Sequence, residues 1–399
     1  LQTIVVAGAG LAGLTTAEAL RQEGFDGTIV LVGEEARPPY ERPPLSKEVL
    51  TGRGSGRSLD LRSEAELAAL DLDLRLGVRA VALRPGGRAV ELSDGSELTA
   101  DGVVVATGAR ARRPGTDLPG VHVLRTLDDA EEVRAGLLRH GRVVVVGAGF
   151  VGAEVAASAR SLGAEVTLLE AADTPLTRVV DPRIGAVLAE LHRDNGVELR
   201  LGVPVTAFEG TGRLERVRLA DGSAVETPLA VAGLGVALNT EWLAGSGVAL
   251  DPGGGVRCDE YSATSLPGVY AVGDLASWPH PRYGGRLRLE HWTNAEEQAR
   301  AAAHNLLAGE GARQPYRPVP YFWSDQYGMK IQLLGQASPA DTVEVVHGSA
   351  EDRKFVAFFG RAGRLVGVLG LRSTPKVMRY RPLLAEPTSW EDALAAAGR

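Results

Sequence analysis

Apolar positions along this chain change their period in a repeating way. From Thr3 a continuous β-branched run (TIVVA) meets a Gly-rich break. A helical recurrence of Ala and Leu follows, then a second apolar run that ends on Glu34. The same succession returns from Arg142: RVVVV, then GAGFVG, an Ala-rich helical stretch, and a run ending on Glu170. A continuous apolar run predicts a strand covered on both faces, and a period of 3.6 predicts the helix between, so each stretch reads as a βαβ unit. Strand–turn–strand patterns built on Asp94-Gly95 and Asp221-Gly222 come next, and each series closes on a further run, VVVATGAR (103–110) and VAGLGVALN (231–239). A third such run, VYAVGDL (269–275), ends on Gly273-Asp274. Past about Pro315 the pattern becomes that of antiparallel strands over 321–334 and 354–369, followed by a polar, Pro-spaced tail with one final short helix.

The duplicated turns carry the chemistry. In GAGLAG and GAGFVG, Gly8 and Gly147 permit the tight exit from the strand. Gly10 and Gly149 remove a side chain where a diphosphate approaches the backbone, and Gly13 and Gly152 let helix and sheet pack closely. The helix N-terminus then offers free N–H groups and its positive dipole end to phosphate. Glu34 and Glu170 end their strands where a carboxylate can accept hydrogen bonds from a ribose, and Asp274 can hold a polyol hydroxyl. One such motif is common among proteins; two, each in complete βαβ context with a terminal acid, imply two bound dinucleotides.

Composition narrows the class. A formal charge of −7 argues against sequence-independent nucleic-acid binding, which needs clustered positive charge. Cys258 is the only cysteine, so an intramolecular disulfide and a Cys-rich metal site are both excluded, and a cytoplasmic compartment is expected. No run approaches the roughly 20 apolar residues of a membrane span, and no signal-peptide architecture precedes the first strand.

Two such units, the first resumed around a later Gly-Asp, resemble the glutathione-reductase-like flavoproteins: α/β, two dinucleotide-binding domains and a C-terminal α+β domain. The segment PPYERPPLSK (38–47), with LRTLDDA, AVGDLA, NAEEQAR and FWSDQY, is similar to the FAD-dependent ferredoxin reductase family of the putidaredoxin reductase and biphenyl dioxygenase ferredoxin reductase type. The resemblance implies FAD-binding segments at 1–110 and 237–315, an NAD-binding domain at 111–236 and a C-terminal domain at 316–399. It assigns FAD to Gly8, Gly10, Ala12, Gly13, Glu34, Arg42, Lys47, Val81, Arg125, Asp274 and Trp292. NADH falls to Gly147, Gly149, Phe150, Gly152 and Glu170. Lys47 is implied beside the isoalloxazine, paired with Glu154, although Glu154 also reads as a first-turn acid favoured by the helix dipole. One departure is Leu238, where relatives commonly carry Pro.

The implied activity is transfer of hydride from NADH to FAD and of single electrons to a 2Fe–2S ferredoxin that feeds a monooxygenase or ring-hydroxylating dioxygenase. A redox-sensing flavoprotein of the apoptosis-inducing-factor kind is the alternative. A disulfide reductase would need a cysteine pair that this chain lacks. For the acidic partner, a basic face is expected from RYGGRLR (282–288), RSTPKVMRYR (372–381), Arg300 and Lys330. The oligomeric state is left open.

Overall fold

Strands made almost wholly of Val, Ile and Leu can be buried only in the middle of a parallel sheet with both faces covered. The computed structural model, which describes the chain except for Ser55, Arg178, Arg399 and the side chains of residues 56, 57 and 310, contains two such sheets. They belong to two units: Leu1–Glu41, Leu59–Arg110 and Ala237–Pro320 form the first, and Arg42–Ser58, Ala111–Val236 and Tyr321–Arg399 the second.

In the first unit five parallel strands run in the order Val269–Ala271, Gly102–Val105, Thr3–Ala7, Thr28–Gly33, Leu72–Leu76. Val5 lies opposite Val30 on one side and Val103 on the other. The helix Leu11–Gln22 covers one face, setting Leu14, Ala17 and Leu20 against Ile4, Val6, Ile29 and Leu31. Ala295, Ala302 and Ala303 of the helix Trp292–Leu307 join that cluster, their small side chains letting the two helices approach.

The second unit repeats the plan, with parallel strands ordered Glu198–Arg200, Glu165–Leu169, Arg142–Val146, Ala230–Ala232, Val121–His122. The duplication extends to the meanders. Strands Ala80–Leu83, Ala89–Leu92 and Glu97–Thr99 correspond to Val205–Glu209, Arg216–Leu219 and Ala224–Glu226. In each, an aspartate closes the turn on a serine N–H two residues on: Asp94 on Ser96 at 3.0 Å, Asp221 on Ser223 at 2.8 Å. In both sheets the first strand of the βαβ has its partners on opposite sides, so its C-terminal end is the switch point where open α/β sheets take ligands.

The C-terminal part of the second unit is a five-stranded antiparallel sheet, ordered Tyr321–Gln326, Met329–Gly335, Arg364–Leu371, Lys354–Arg361, Thr342–Ser349. Two features depart from the sequence expectation. Thr342–Ser349 is an additional edge strand, and with only Val346 of its eight residues buried it gives little apolar signal. The tail holds three short helices, Thr374–Arg379, Arg381–Ala385 and Trp390–Ala396, where one was expected. Pro375 and Pro382 stand in their first turns, where a missing N–H costs nothing, so these prolines start helices and do not space them. Among the described residues no helix is long and apolar enough to cross a membrane.

One buried titratable pair ties the nucleotide half of the second unit to its C-terminal sheet. His192, fully buried in the helix Pro182–Asp194, meets the Tyr327 hydroxyl through Nδ1 at 2.6 Å, and its Nε2 has no partner among the described residues. Burial pushes the imidazole down from 6.5 to about 4, because a protonated ring would be charged in an apolar place with nothing to accept Nε2–H. The folded state therefore prefers the neutral ring. Its contribution is complete above pH 6.5 and is lost as pH falls toward 4, by roughly 3 kcal/mol in total. Urea unfolding at pH 7.5 and pH 4.5 should reveal this loss, and His192→Asn, which keeps a hydrogen-bonding group but does not titrate, should have a flatter pH dependence.

Candidate functional site

The two Gly-rich loops are built by close approach. Gly8 has φ +122° and Gly147 φ +96°, and a Cβ there would lie 2.1 Å from Ala106 O and 2.4 Å from Gly233 O. A Cβ on Gly13 would sit 1.7 Å from Gly8 O, and one on Gly152 would sit 1.9 Å from Gly147 O. These four glycines are required by the protein's own backbone. Gly10 and Gly149 differ, since nothing lies within 4 Å of a Cβ on either. Each is the N-cap of its helix, without a side-chain cap and without an acid in the first turn. An uncapped, acid-free helix start facing open space fits a diphosphate, so both loops suit a dinucleotide such as FAD or NAD(H).

In the first unit the loop has a second wall. Ala12 is 9% exposed, and a Cβ on Gly273 would come within 3.2 Å of its methyl, which sets Gly273-Asp274 beside the helix start. Gly273 N–H donates to Gln298 Oε1 at 2.9 Å, while Asp274 is half-buried and its carbonyl takes Arg288 Nη1 at 2.8 Å. Val81, on the strand Ala80–Leu83, is exposed. Trp292 opens its helix and donates Nε1–H to Glu41 Oε2 at 3.1 Å. Burial raises the Glu41 carboxyl above its ordinary range, against the lowering effect of that indole bond. Leu238, the position of the departure, is buried, and the following Asn239 is locked to Thr107 by bonds of 2.6 and 2.9 Å.

The two strand-ending acids are not equivalent. Glu170 receives Ala148 N–H on Oε2 at 2.7 Å and Ala172 N–H on Oε1 at 2.9 Å, so its charge is fixed against the GAGFVG loop itself. Glu34 is exposed and only 3.6 Å from Arg79 Nη1, an ion pair in solvent.

Arg42, Lys47 and Arg125 lie in the second unit. Arg42 Nη1 donates to Arg125 O at 2.7 Å, and Asp129 Oδ2 takes both the Arg125 and Thr126 N–H at 2.9 Å, in the capping box of the helix Leu127–His140. Lys47 follows the 3-10 turn Pro43–Ser46 and donates Nζ–H to Glu154 Oε2 at 2.8 Å and to Pro43 O at 3.0 Å. Its third ammonium hydrogen has no partner among the described residues. Glu154 is 6% exposed and lies in the second turn of the helix Phe150–Ser161, whose first turn holds no acid. The first-turn dipole explanation is therefore incorrect: its partners are the Ser46 hydroxyl (2.5 Å), Lys47 and the Ser324 hydroxyl (2.7 Å). Phe150 packs edge-on to Phe322 at 4.3 Å, and Trp323 is stacked on Tyr321 with Lys330 Nζ 5.7 Å above it.

Four members of the expected basic face, Arg286, Arg288, Arg300 and Lys330, are engaged within the protein. Arg286 bonds the carbonyls of Cys258 and Ser277 and lies 3.7 Å from Asp251, so it is a structural clamp. Arg288 pairs with Glu290, Arg300 with Glu296 and Lys330 with Asp325. The acids that neutralise them lie outside the basic runs, which is why the runs looked uncompensated. Cys258 is 4% exposed, and burial pushes its thiol up to about 12, far from a reactive thiolate. Sequence reasoning missed Glu41, Ser46 and Ser324. The first two stand inside PPYERPPLSK and the third inside FWSDQY, so the motifs that carry the resemblance also contain these residues.

A family model described as pyridine nucleotide-disulphide oxidoreductase matches residues 2–299, and one described as reductase C-terminal matches residues 321–398. The chain is 38% identical over 387 residues to rhodocoxin reductase of Rhodococcus erythropolis, covering 96% of this chain and 89% of that protein. It is 39% identical over 381 residues to the ferredoxin--NAD(+) reductase component of the p-cumate 2,3-dioxygenase system of Pseudomonas putida, covering 95% and 92%. Among solved structures, the covalent putidaredoxin reductase–putidaredoxin complex aligns with a TM-score of 0.92 at 33% identity, over 100% of this chain and 99% of that one.

The pinned Glu170 carboxylate has a direct consequence for nucleotide choice. Facing a 2′-phosphate, and with Ala171 and Ala172 offering no cation, it should disfavour NADPH by about 3 kcal/mol, roughly a hundredfold in kcat/KM. Steady-state kinetics with both nucleotides measures the ratio, and Glu170→Gln should shrink it several-fold.

Proposed function

The chain belongs to the pyridine nucleotide-disulphide oxidoreductase family, in its FAD-dependent ferredoxin reductase branch, and from that membership we propose how its residues divide the work. It is an NADH-dependent ferredoxin reductase with FAD and NAD(H) as cofactors and a 2Fe–2S ferredoxin as partner. Despite the family's description, disulfide chemistry has no place here, since the single thiol is buried. The carrying observation is the pair of open, uncapped glycine loops in a chain without a cysteine pair. The redox-sensor alternative is not favoured by relatives that bear reductase names.

The open geometry of the first loop supports giving Gly8, Gly10, Ala12, Gly13 and Asp274 to a dinucleotide, and the resemblance makes that FAD, with Glu34, Val81, Trp292, Arg42, Lys47 and Arg125. Gly147, Gly149, Phe150, Gly152 and Glu170 are assigned to NADH. Segments 1–110 and 237–315 are the FAD-binding parts, 111–236 the NAD-binding domain and 316–399 the C-terminal domain. Bound FAD supplies the exchange of a two-electron hydride for two single electrons. The protein's own contribution is placement and charge: two helix N-termini hold diphosphates, Glu170 orients the ribose, and Lys47 presents an ammonium fixed by Glu154. The ferredoxin serves a monooxygenase or ring-hydroxylating dioxygenase, in the cytoplasm.

Anaerobic stopped-flow with NADH and a 2Fe–2S ferredoxin should yield two reduced ferredoxins per NADH. A long-lived complex that leaves ferredoxin oxidised would favour the sensor. Lys47→Met should slow flavin reduction about tenfold or more while FAD content stays near stoichiometric. An unchanged rate would return Lys47 to a structural role.

A further inference from the structure

Ser324 is fully buried in the FWSDQY strand, 170 residues from Glu154 in sequence, and donates its hydroxyl to Glu154 Oε1 at 2.7 Å. Gln326, two residues on and on the same strand face, donates Nε2–H to Ser324 Oγ at 3.1 Å. The serine oxygen thus accepts from Gln326, and its only hydrogen is directed at Glu154. The other carboxylate oxygen, Oε2, takes Ser46 Oγ at 2.5 Å and Lys47 Nζ at 2.8 Å. Ser158, one helical turn beyond Glu154, donates to Ser46 O at 2.7 Å, so the turn that carries Lys47 is fastened to this helix at two points. All of these residues belong to the second unit.

The placement follows from matching periods. Four residues of helix advance about 6 Å, and two residues of strand advance about 6.7 Å. Phe150 and Glu154 therefore stand one above the other on the helix, at nearly the spacing of Phe322 and Ser324 on the strand. The edge-on packing of Phe150 on Phe322 then sets Glu154 opposite Ser324. A carboxylate with donors on both oxygens cannot turn about its terminal torsion without leaving one buried oxygen unbonded.

We infer that Ser324 is the positioning residue of Lys47: it fixes Glu154 through Oε1 so that Oε2 meets the lysine ammonium. The strand at 321–326 thereby sets where the charge of Lys47 points. The consequence for hydride transfer rests on the reading of Lys47 given above, whereas the positioning itself does not. Removing the hydroxyl frees Glu154 to rotate and loosens Lys47, with the fold otherwise kept.

The test uses Ser324→Ala and Ser324→Thr, each made in the wild type and in Lys47→Met. In the purified holoenzyme, acylation of the four lysines by an N-hydroxysuccinimide ester is followed by peptide mass spectrometry. Ser324→Ala should speed modification of Lys47 several-fold while Lys330, Lys354 and Lys376 react as before, and Ser324→Thr should restore protection. In the FAD-loaded protein, Ser324→Ala should slow NADH-driven flavin reduction about three- to tenfold at saturating NADH, with no further loss in the Lys47→Met background. Unchanged Lys47 acylation, or an equal loss of rate with and without Lys47, would overturn the inference. If Lys47→Met alone leaves flavin reduction unchanged, the reading of Lys47 fails, and acylation alone then decides the positioning. Should Ser324→Ala fold poorly, Gln326→Leu removes the donor that orients the hydroxyl and is judged by the same acylation readout.

Discussion

The missing Cβ at Gly13 and Gly152 governs this molecule more than any single attractive contact. At each, the helix backbone crosses the loop so closely that a methyl group would overlap a carbonyl oxygen, at 1.7 and 1.9 Å. That closeness draws the helix start against the C-terminal end of the central strand. The helix dipole, the free N–H groups and the switch point of the sheet then coincide. The burial of alanines along both nucleotide helices, Ala17 and Ala19 in one and Ala153, Ala156 and Ala159 in the other, belongs to the same requirement.

Where the first constraint is steric, the second is electrostatic. Glu154 is a buried carboxylate, and burying a charge is costly unless it is paired and fully hydrogen-bonded. Its three donors come from two separate segments: Ser46 and the adjoining Lys47 in one, and Ser324 of the first strand of the C-terminal sheet in the other. The cost of leaving any lone pair unmet keeps these segments in register. The second unit therefore gathers the short 42–58 segment, the nucleotide domain and the C-terminal sheet around one acid.

Duplication set the plan of the two nucleotide halves but not their detail. Turn chemistry survives in both meanders, down to the aspartate that caps the serine N–H. The strand-ending acids have diverged in environment: Glu170 is held by two backbone N–H groups and Glu34 stands in solvent beside Arg79. An acid of the same type at the same step of a repeated motif is thus held by backbone N–H groups in one copy and stands exposed beside an arginine in the other.

By itself the sequence determined whatever depends on local pattern. The βαβ units, the glycine loops, the meander turns and the acids at the strand ends all followed from period, β-branching and the backbone demands of glycine. It also excluded thiol chemistry, because one cysteine cannot make a pair. The resemblance carried in PPYERPPLSK named Lys47 and Glu154 before their contact was visible. Only the tertiary structure decided which charges are free, since Arg286, Arg288, Arg300 and Lys330 find acids and carbonyls that their own segments do not contain. It alone made helix starters of the tail prolines and joined Ser324 to Glu154. Hydrogen bonds between residues 170 positions apart leave no periodic trace in a chain, because they are fixed by how a helix and a strand pack and not by either one alone.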